Sequence, residues 1–355
     1  MASAATQSSS ERSSPTIVLG IESTAHTFGV GIVSTEPPYI LADARRKYIP
    51  SEGGILPREV AQFFAKTAHE ALEEAFRQSG VRPGELSAIA VAMGPGMGPA
   101  LRVGASVARA LVSKLGVPLV AVNHAVAHIE IARFLTGLKE PVVLYVSGGN
   151  TTVMSYVAGR YRVFGETLDI SLGNMLDTFA RETGIGPPYV VSDMHVIDRC
   201  SMGGRFLRGM PYVVKGQDVS FSGLLTAALR LYRKQPSMLR DLCYTLREIG
   251  FSSVVEVTER CLAHTGRKQV ILTGGVAASD LLNEKLERMV GPHGAAFRRI
   301  PKKYAGDNGV MIALTGALQY MHGVGLLKPE KAFIRQRWRP DRVDVPWYPL
   351  TLGDV

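Results

Sequence analysis

Cysteine is scarce in this chain. Its 355 residues include three, Cys200, Cys243 and Cys261, far apart and without a Cys-x-x-Cys pair. That usage fits a reducing compartment and argues against a disulfide framework or a thiolate metal site. The first sixteen residues, MASAATQSSSERSSPT, contain no apolar segment, so they read as a polar tail and not as a secretory signal. No run of ~20 residues is free of glycine, proline and charge, which leaves no candidate membrane span. The expected location is cytoplasmic. No Gly-x-Gly-x-x-Gly opens a helix after the first expected strand, and no acid follows at the matching distance, so a Rossmann dehydrogenase is a poor fit. Acidic residues are outnumbered, 31 to 40, giving a net charge of +9. That balance reads either as an ordinary basic surface or as the footprint of a polyanion such as RNA.

What is present is a globular composition, 46% hydrophobic and 20% charged. The length exceeds the ~250–300 residues at which single cores stop growing, so two lobes or duplicated halves are expected. A phrase occurs twice. Residues 17–33 (IVLGIESTAHTFGVGIV) and 142–157 (VVLYVSGGNTTVMSYV) both run apolar strand, small polar loop, apolar strand. A third variant, 270–279 (VILTGGVAAS), ends in a Gly-Gly turn. The remaining pattern predicts strands at 89–93, 119–122, 161–167 and 269–273, and helices at 58–78, 100–115, 125–134, 173–182, 224–232, 238–264, 280–289 and 308–321. Residues 45–57 read as a basic loop, and 187–210 carry no periodicity. Strands alternating with helices, with a hairpin opening each half, predict a duplicated α/β fold with its ligand in the crevice between halves. The expected organisation is a tail at 1–15, one lobe at 16–141, a second at 142–332, and a basic tail at 333–355 packed over the surface.

Three small-residue loops (20–27, 147–151 and 274–278) are candidate anion cradles, because a backbone N–H without a neighbouring Cβ can approach a phosphate closely. His124 and His128 lie at i and i+4, on one helix face, where neutral imidazoles suit zinc or iron(II). Such a pair among eight histidines also arises by chance. A zinc protease needs a glutamate after the first histidine, and Ala125 stands there, while Glu130 lies beyond the pair. Asp307 reads either as a ligand or as a plain helix N-cap, and Tyr145 as a core tyrosine or as part of the site. Sugar kinases and actin-like ATPases share the duplicated hairpin but place an aspartate in each phosphate hairpin. Here those loops offer Glu22 and Ser147, which weakens a phosphotransfer reading.

The assembled motifs resemble one family. They are Gly20-Ile-Glu-Ser-Thr-Ala-His26, Gly54-Ile-Leu-Pro-Arg58, Gly94-Pro-Gly96, Asn123-His-Ala-Val-Ala-His128, Tyr145-Val-Ser-Gly-Gly149, Gly173-Asn174 with Asp177, Gly274-Gly-Val-Ala277 and Gly306-Asp-Asn-Gly309. Together they are similar to the archaeal and eukaryotic tRNA threonylcarbamoyladenosine transferases, the catalytic subunits of KEOPS complexes, once called O-sialoglycoprotein endopeptidases. The motifs run in the family's order from residue 17 to 313.

The resemblance implies an actin-like, sugar-kinase-like (ASKHA) fold with a nucleotide cleft between two lobes. It implies transfer of threonylcarbamoyl from threonylcarbamoyl-AMP to N6 of the adenosine 3′-adjacent to the anticodon, in tRNAs reading ANN codons. The implied metal ligands are His124, His128, Tyr145 and Asp307, holding one iron or zinc ion. The adenylate, or ATP in its place, would be held by Tyr145, Val146, Ser147, Gly148, Gly149, Asp177, Val190, Met194 and Ser279. His26 or Glu22, in the opposite hairpin, would position the adenosine or accept its proton.

Two departures stand out. The family's Pro-Gly-Gly-Pro segment is replaced by Pro187-Pro-Tyr-Val-Val-Ser-Asp-Met-His195, where Asp193 or Asp198 would substitute for ribose contacts. Ser279 stands where the family has Asn. The implied partners are tRNA, through basic clusters at 45–47, 205–215, 298–303 and 335–342, and two KEOPS subunits. These are a small dimerisation subunit on the helices at 58–78 and 100–115, and a small atypical kinase on the other half. Competing readings are a non-catalytic nucleotide-binding scaffold and, with less support, a metalloprotease.

Overall fold

The structure, a computed structural model, describes residues 14–50, 54–186 and 194–354. The first half opens with β1 (Ile17–Glu22), β2 (Thr27–Ser34) and β3 (Ile40–Lys47), followed by α1 (Pro57–Ser79), β4 (Ala88–Gly94), α2 (Gly98–Leu115), β5 (Leu119–Asn123) and α3 (His124–Thr136). The second repeats the plan with β6 (Val142–Val146), β7 (Thr151–Val157) and β8 (Arg160–Glu166). Next come α4 (Leu172–Thr183), α5 (Val196–Cys200), the short hairpin β9 (Val214–Lys215) and β10 (Asp218–Val219), α6 (Ser222–Lys234) and α7 (Leu239–Thr265). Then follow β11 (Gln269–Thr273), α8 (Asp280–Val290), β12 (Ala296–Phe297), α9 (Lys302–Ala305), α10 (Gly309–Met321) and β13 (Leu326–Leu327).

The duplication is plain in the sheets. The first has the order β13-β5-β4-β1-β2-β3 and the second β12-β11-β6-β7-β8. In each, an antiparallel three-strand meander is extended by parallel strands beside its first member. This is the α/β, actin-like design expected from the twin hairpins.

Side-chain alternation splits the first sheet. Leu19 and Ile21 face one core with Val60 and Phe64 of α1 and Ala105 and Ala108 of α2. Val18 and its neighbours face the other, with α3 and α10. On that second face α10 sits directly on the strand backbone. A Cβ at Gly20 would lie 2.1 Å from Ala313 N, one at Gly31 2.3 Å from Val310 N, and one at Gly309 2.2 Å from Gly31 N. Every α10 residue from 309 to 319 is buried.

Several expectations are corrected. The loop placed at 20–27 shrinks to four residues, because β1 and β2 stay paired out to Glu22↔Gly29; its one glycine, Gly20, lies in β1 and serves helix-on-sheet contact with α10. Residues 45–47 belong to β3, paired with β2 through Gly29↔Arg45. The segment at 333–355 does not simply cover the surface: Val343, Val345, Trp347 and Leu352 are buried in the main core. Although they lie within residues 142–332, expected to form the second lobe, α10 packs on the first sheet and β13 joins it, pairing antiparallel with β5. Within the stretch that carried no periodicity, α5 is helical; Val190 and Asp193 lie outside the described residues. Among the described residues no helix is long and apolar enough to cross a membrane.

A buried charge network ties α3 to β8 and the C-terminal segment. Arg133 donates to Glu130 at 2.6 Å, to the Lys139 carbonyl at 3.0 Å and to the Pro349 carbonyl at 2.6 Å, while the Tyr161 hydroxyl donates to Glu130 at 2.5 Å. Glu130 and Arg133 are both fully buried, so each depends on the other for compensation.

Arg133→Leu is expected to lower unfolding free energy by about 3–5 kcal/mol, since it leaves Glu130 buried without its cation. Gly20→Ala is expected to cost about 1–3 kcal/mol or more through overpacking against α10. Gly84→Ala, whose Cβ would meet open space, should stay within about 0.5 kcal/mol. Urea unfolding of the three variants measures all of these.

Candidate active site

α3 leaves β5 to cross towards the second sheet, and α10 leaves the second half to return to the first. The two helices pack on each other, and their N-terminal ends bring the key side chains together. Asn123 caps α3, accepting from Ala125 N at 3.0 Å and Val126 N at 3.1 Å. This starts the helix at His124 and puts His128 one turn on. Asn308, not Asp307, caps α10, accepting from Met311 N at 2.8 Å. The Asp307 carboxylate is thereby free to face the histidines. His128 Nε2 lies 3.2 Å from Asp307 Oδ1 and His124 Nε2 3.6 Å from the same oxygen. One ligand atom from each of the three lies within 4.8 Å of the others.

Glu22 stands behind this group. His124 Nδ1–H donates to Glu22 Oε2 at 2.8 Å, and the other carboxylate oxygen accepts from Thr24 N and Thr24 Oγ1, both at 2.5 Å. A carboxylate on Nδ1 fixes the ring tautomer and leaves Nε2 for a ligand. Burial alone would keep His124 neutral, but the charge and hydrogen bond of Glu22, with Asp307 beyond, push its pKa up to about 9. For His128 burial prevails and lowers the pKa, against the opposing pull of Asp307. Burial opposes ionisation of Asp307, yet the His128 hydrogen bond and the two imidazoles hold it well below the usual carboxylate range.

The Tyr145 ring packs beside His128, centroids 5.2 Å apart. Its hydroxyl is buried without a hydrogen-bond partner among the described residues, as is His128 Nδ1. Burial and then the Asp307 charge raise the phenol pKa. Two imidazoles and a carboxylate gathered within 4.8 Å, with the Tyr145 ring beside them, are a nitrogen and oxygen donor set that fits zinc or iron, with Glu22 as the outer carboxylate.

The group opens onto a cleft of about 1380 Å³. Residues from all three small-residue loops line it: Thr24, His26 and Thr27; Ser147, Gly148, Gly149 and Asn150; and Gly275, Val276, Ala278 and Ser279. The 147–150 turn is closed on itself. Ser147 N–H donates to the Asn150 carbonyl at 2.8 Å, and Gly149 and Asn150 N–H donate to Ser147 Oγ at 3.3 and 3.1 Å. The Gly148 N–H is the loop's uncommitted donor among the described residues. Gly274 must be glycine, because at φ +94° its Cβ would lie 2.3 Å from the Val146 carbonyl.

The other sequence-derived candidates separate. Asp177 lines the cleft and holds His195 Nε2 at 3.1 Å; Ser279 lines it and donates to Asp198 at 3.2 Å. His26 also lines it, its pKa lowered chiefly by burial. Val146 is fully buried in the core, and Met194, 39% exposed, is not among the residues that line the cleft. Glu22 is 0% exposed, with both carboxylate oxygens engaged.

One wall was not foreseen. The C-terminal residues 336–340 line the cleft. Arg335 N–H donates to the Met93 carbonyl at 2.7 Å, and Gly96 N–H to that of Gln336 at 3.2 Å. The sequence signal was the apolar alternation Val343, Val345, Trp347, which anchors this segment in the core.

Residues 40–314 match the family model described as TsaD: tRNA N6-adenosine threonylcarbamoyltransferase. A curated protein named tRNA N6-adenosine threonylcarbamoyltransferase from Aeropyrum pernix is 67% identical over 344 residues, covering 97% of this chain and 98% of that protein. Its namesake from Hyperthermus butylicus is 59% identical over 332 residues, covering 93% and 91%. Among solved structures, the crystal structure of T. kodakarensis HypF superposes with a TM-score of 0.60 at 16% identity, covering 87% of this chain and 48% of that one, a likeness of fold alone. With both near-full-length relatives carrying the activity that the site's motifs resemble, this chain belongs to the tRNA N6-adenosine threonylcarbamoyltransferase family.

Proposed function

We propose that the chain moves the threonylcarbamoyl group from threonylcarbamoyl-AMP to N6 of the adenosine 3′-adjacent to the anticodon, and that His124, His128, Tyr145 and Asp307 hold one iron or zinc ion at the reacting end of the cleft. Membership of a tRNA-modifying transferase family supplies the reaction class. The observation that carries the finer reading is the meeting of His124, His128 and Asp307 beside the unpartnered Tyr145 hydroxyl, at the edge of a cleft lined by three small-residue loops. A bound ion supplies Lewis acidity towards the carbamoyl carbonyl.

The chain's own residues do the rest. Glu22 is a positioning residue: it holds His124 Nδ1 and has no free oxygen for a substrate proton. Neutral His26, its pKa held down by burial, is the group in the opposite hairpin suited to orient N6 or accept its proton. The Gly148 N–H and the start of α4, where Gly173 packs against Ser147 and Gly148, are the donors nearest the loop for the adenylate phosphate. Asp177, Asp198 and Ser279 face the nucleoside, with Asp198 taking over the ribose contact. ATP would occupy the same place. AMP leaves as the anhydride bond breaks and the N6–carbonyl bond forms.

A metalloprotease is disfavoured because Ala125 follows His124 and Glu130 is locked to Arg133 and Tyr161. A non-catalytic scaffold is disfavoured by the complete donor set.

For tRNA we assign two contacts. Several cations lining the cleft are already paired: Arg45 with Asp43 at 2.7 Å, Lys302 with Asp280 at 2.8 Å, Lys303 with Asp43 at 3.3 Å and Arg339 with Asp341 at 3.2 Å. Lys47 and Arg337 have no carboxylate partner among the described residues and line the same cleft, so they are the cations available for backbone phosphates. The α1–α2 outer face is proposed for the small dimerisation subunit and the second lobe for the small atypical kinase. A tRNA substrate fits a cytoplasmic location.

Mass spectrometry of tRNA nucleosides tests the reaction. With donor, unmodified tRNA and partner subunits, the native chain should form threonylcarbamoyladenosine, and His124→Ala/His128→Ala should form none. Product from the double variant would sink the metal reading. Glu22→Gln should weaken metal affinity about 10–100-fold, read by competition with a chelator. In tRNA binding, Lys47→Ala/Arg337→Ala should flatten the slope of log affinity against log salt by about 1.4–1.8, and an unchanged slope would remove both contacts.

A further inference from the structure

The most informative cluster outside the cleft is a pair of thiols. Cys200, the last residue of α5, and Cys243, on α7, are 43 positions apart in sequence, yet their sulfurs are in contact at 2.6 Å. Cys243 is fully buried and Cys200 partly exposed. Cys261, further along α7, is buried without a sulfur partner among the described residues. The wide spacing that argued against a disulfide in the sequence is undone by the fold.

We propose that Cys200 and Cys243 are a redox-active pair, whose oxidation to a disulfide pins α5 to α7 and fixes the cleft wall that α5 carries. Three observations converge on it. First, the seam is preformed. Just beyond α5, Arg205 N–H donates to Asp241 at 2.8 Å and Leu207 N–H to Thr245 Oγ1 at 2.9 Å, while Arg247 donates to Ser201 Oγ at 2.5 Å. The thiols therefore meet without any rearrangement of the two elements. Second, α5 has five residues, far too few to be helical on its own, so its order depends on what holds it. Third, α5 bears on the cleft. Its N-cap His195 reaches Asp177 at 3.1 Å, and Asp198 within it accepts from Ser279 at 3.2 Å. A covalent tie at the far end of α5 restrains both residues.

The chemistry balances with a low-molecular-weight disulfide RSSR as oxidant. The Cys200 thiolate, favoured by its neighbour Cys243 and the Arg240 charge, attacks RSSR, forming Cys200–SR and releasing RS⁻. Cys243 Sγ then attacks Cys200 Sγ, forming the protein disulfide and expelling the second RS⁻. The two thiol protons go to the two leaving thiolates, so two protein thiols and RSSR become one protein disulfide and two RSH. Cys200 leads because it alone of the pair is accessible.

The test needs only the full chain and glutathione, and does not depend on transferase activity. The protein is equilibrated in reduced or oxidised glutathione, acid-quenched, unfolded and alkylated, then weighed intact. Three alkylated cysteines are expected in the reduced sample and one, Cys261, in the oxidised sample. Cys243→Ser should instead retain one glutathione on Cys200. Hydrogen exchange of amides 196–204 should slow at least tenfold in the oxidised native chain and not in oxidised Cys243→Ser. Three free thiols in oxidising buffer, or a disulfide that uses Cys261, overturns the pair. A Cys200–Cys243 bond that leaves exchange in α5 unchanged overturns its role in holding the wall.

Discussion

The structure depends most on the contact between the backbone of α10 and the backbones of β1 and β2. Gly20, Gly29 and Gly31 on the sheet meet Gly309 and its neighbours on the helix, closer than any side chain allows. Such an approach fixes the helix in both translation and rotation, because there is no side-chain layer to slide or repack. It therefore fixes Asp307, two residues before the first turn. The same helix packs on α3, which carries both histidines. The proposed metal site would need its donors held within a fraction of an ångström, and a chain of backbone contacts runs from the first hairpin through α10 to the carboxylate.

Electrostatics within the site follow from this rigidity. Two buried imidazoles share one oxygen of Asp307, yet their pKa values move in opposite directions: at His124 the charge and hydrogen bond of Glu22 outweigh burial, whereas at His128 burial prevails over the pull of Asp307. The pair is thus differentiated before any ligand arrives. Glu130 and Arg133, deeper in α3, form a closed network with Tyr161 and the C-terminal carbonyls. That network anchors the same helix at its other end. Two carboxylates on or beside α3 serve different purposes: Glu22 orients the His124 ring, whereas Glu130 neutralises a buried guanidinium.

The sequence made legible what repeats or is locally periodic. The twin hairpins disclosed the duplicated fold, and the i,i+4 spacing pointed to His124 and His128, which the fold brings together with Asp307. What escaped was non-local. Glu22 and His124 meet only because β1 and β5 both flank β4, an adjacency no spacing encodes. The strand β3 was hidden by its charge, since Arg45 and Lys47 lie on an edge strand where basic side chains are tolerated. The C-terminal wall was read as surface because it lacks helical period, although its buried valines and tryptophan alternate. The Cys200–Cys243 contact needs α5 docked on α7, and neighbouring sequence gave α5 no periodic signal.

Under the proposed function, the placement of donors lets one cleft serve both a small adenylate and a large RNA. The histidines, Asp307 and Tyr145 lie on α3, before α10 and on β6, where the two lobes are joined. The loops at 147–150 and 275–279, α5 and the C-terminal wall lie around this joint and carry the contacts available to substrates. Under the proposed function, a change in those outer segments, such as Ser279, bears on what is bound and leaves the donor geometry to the helices. Such variation leaves the centre in place, because the glycines that hold it, Gly20, Gly29, Gly31 and Gly309, do not line the cleft.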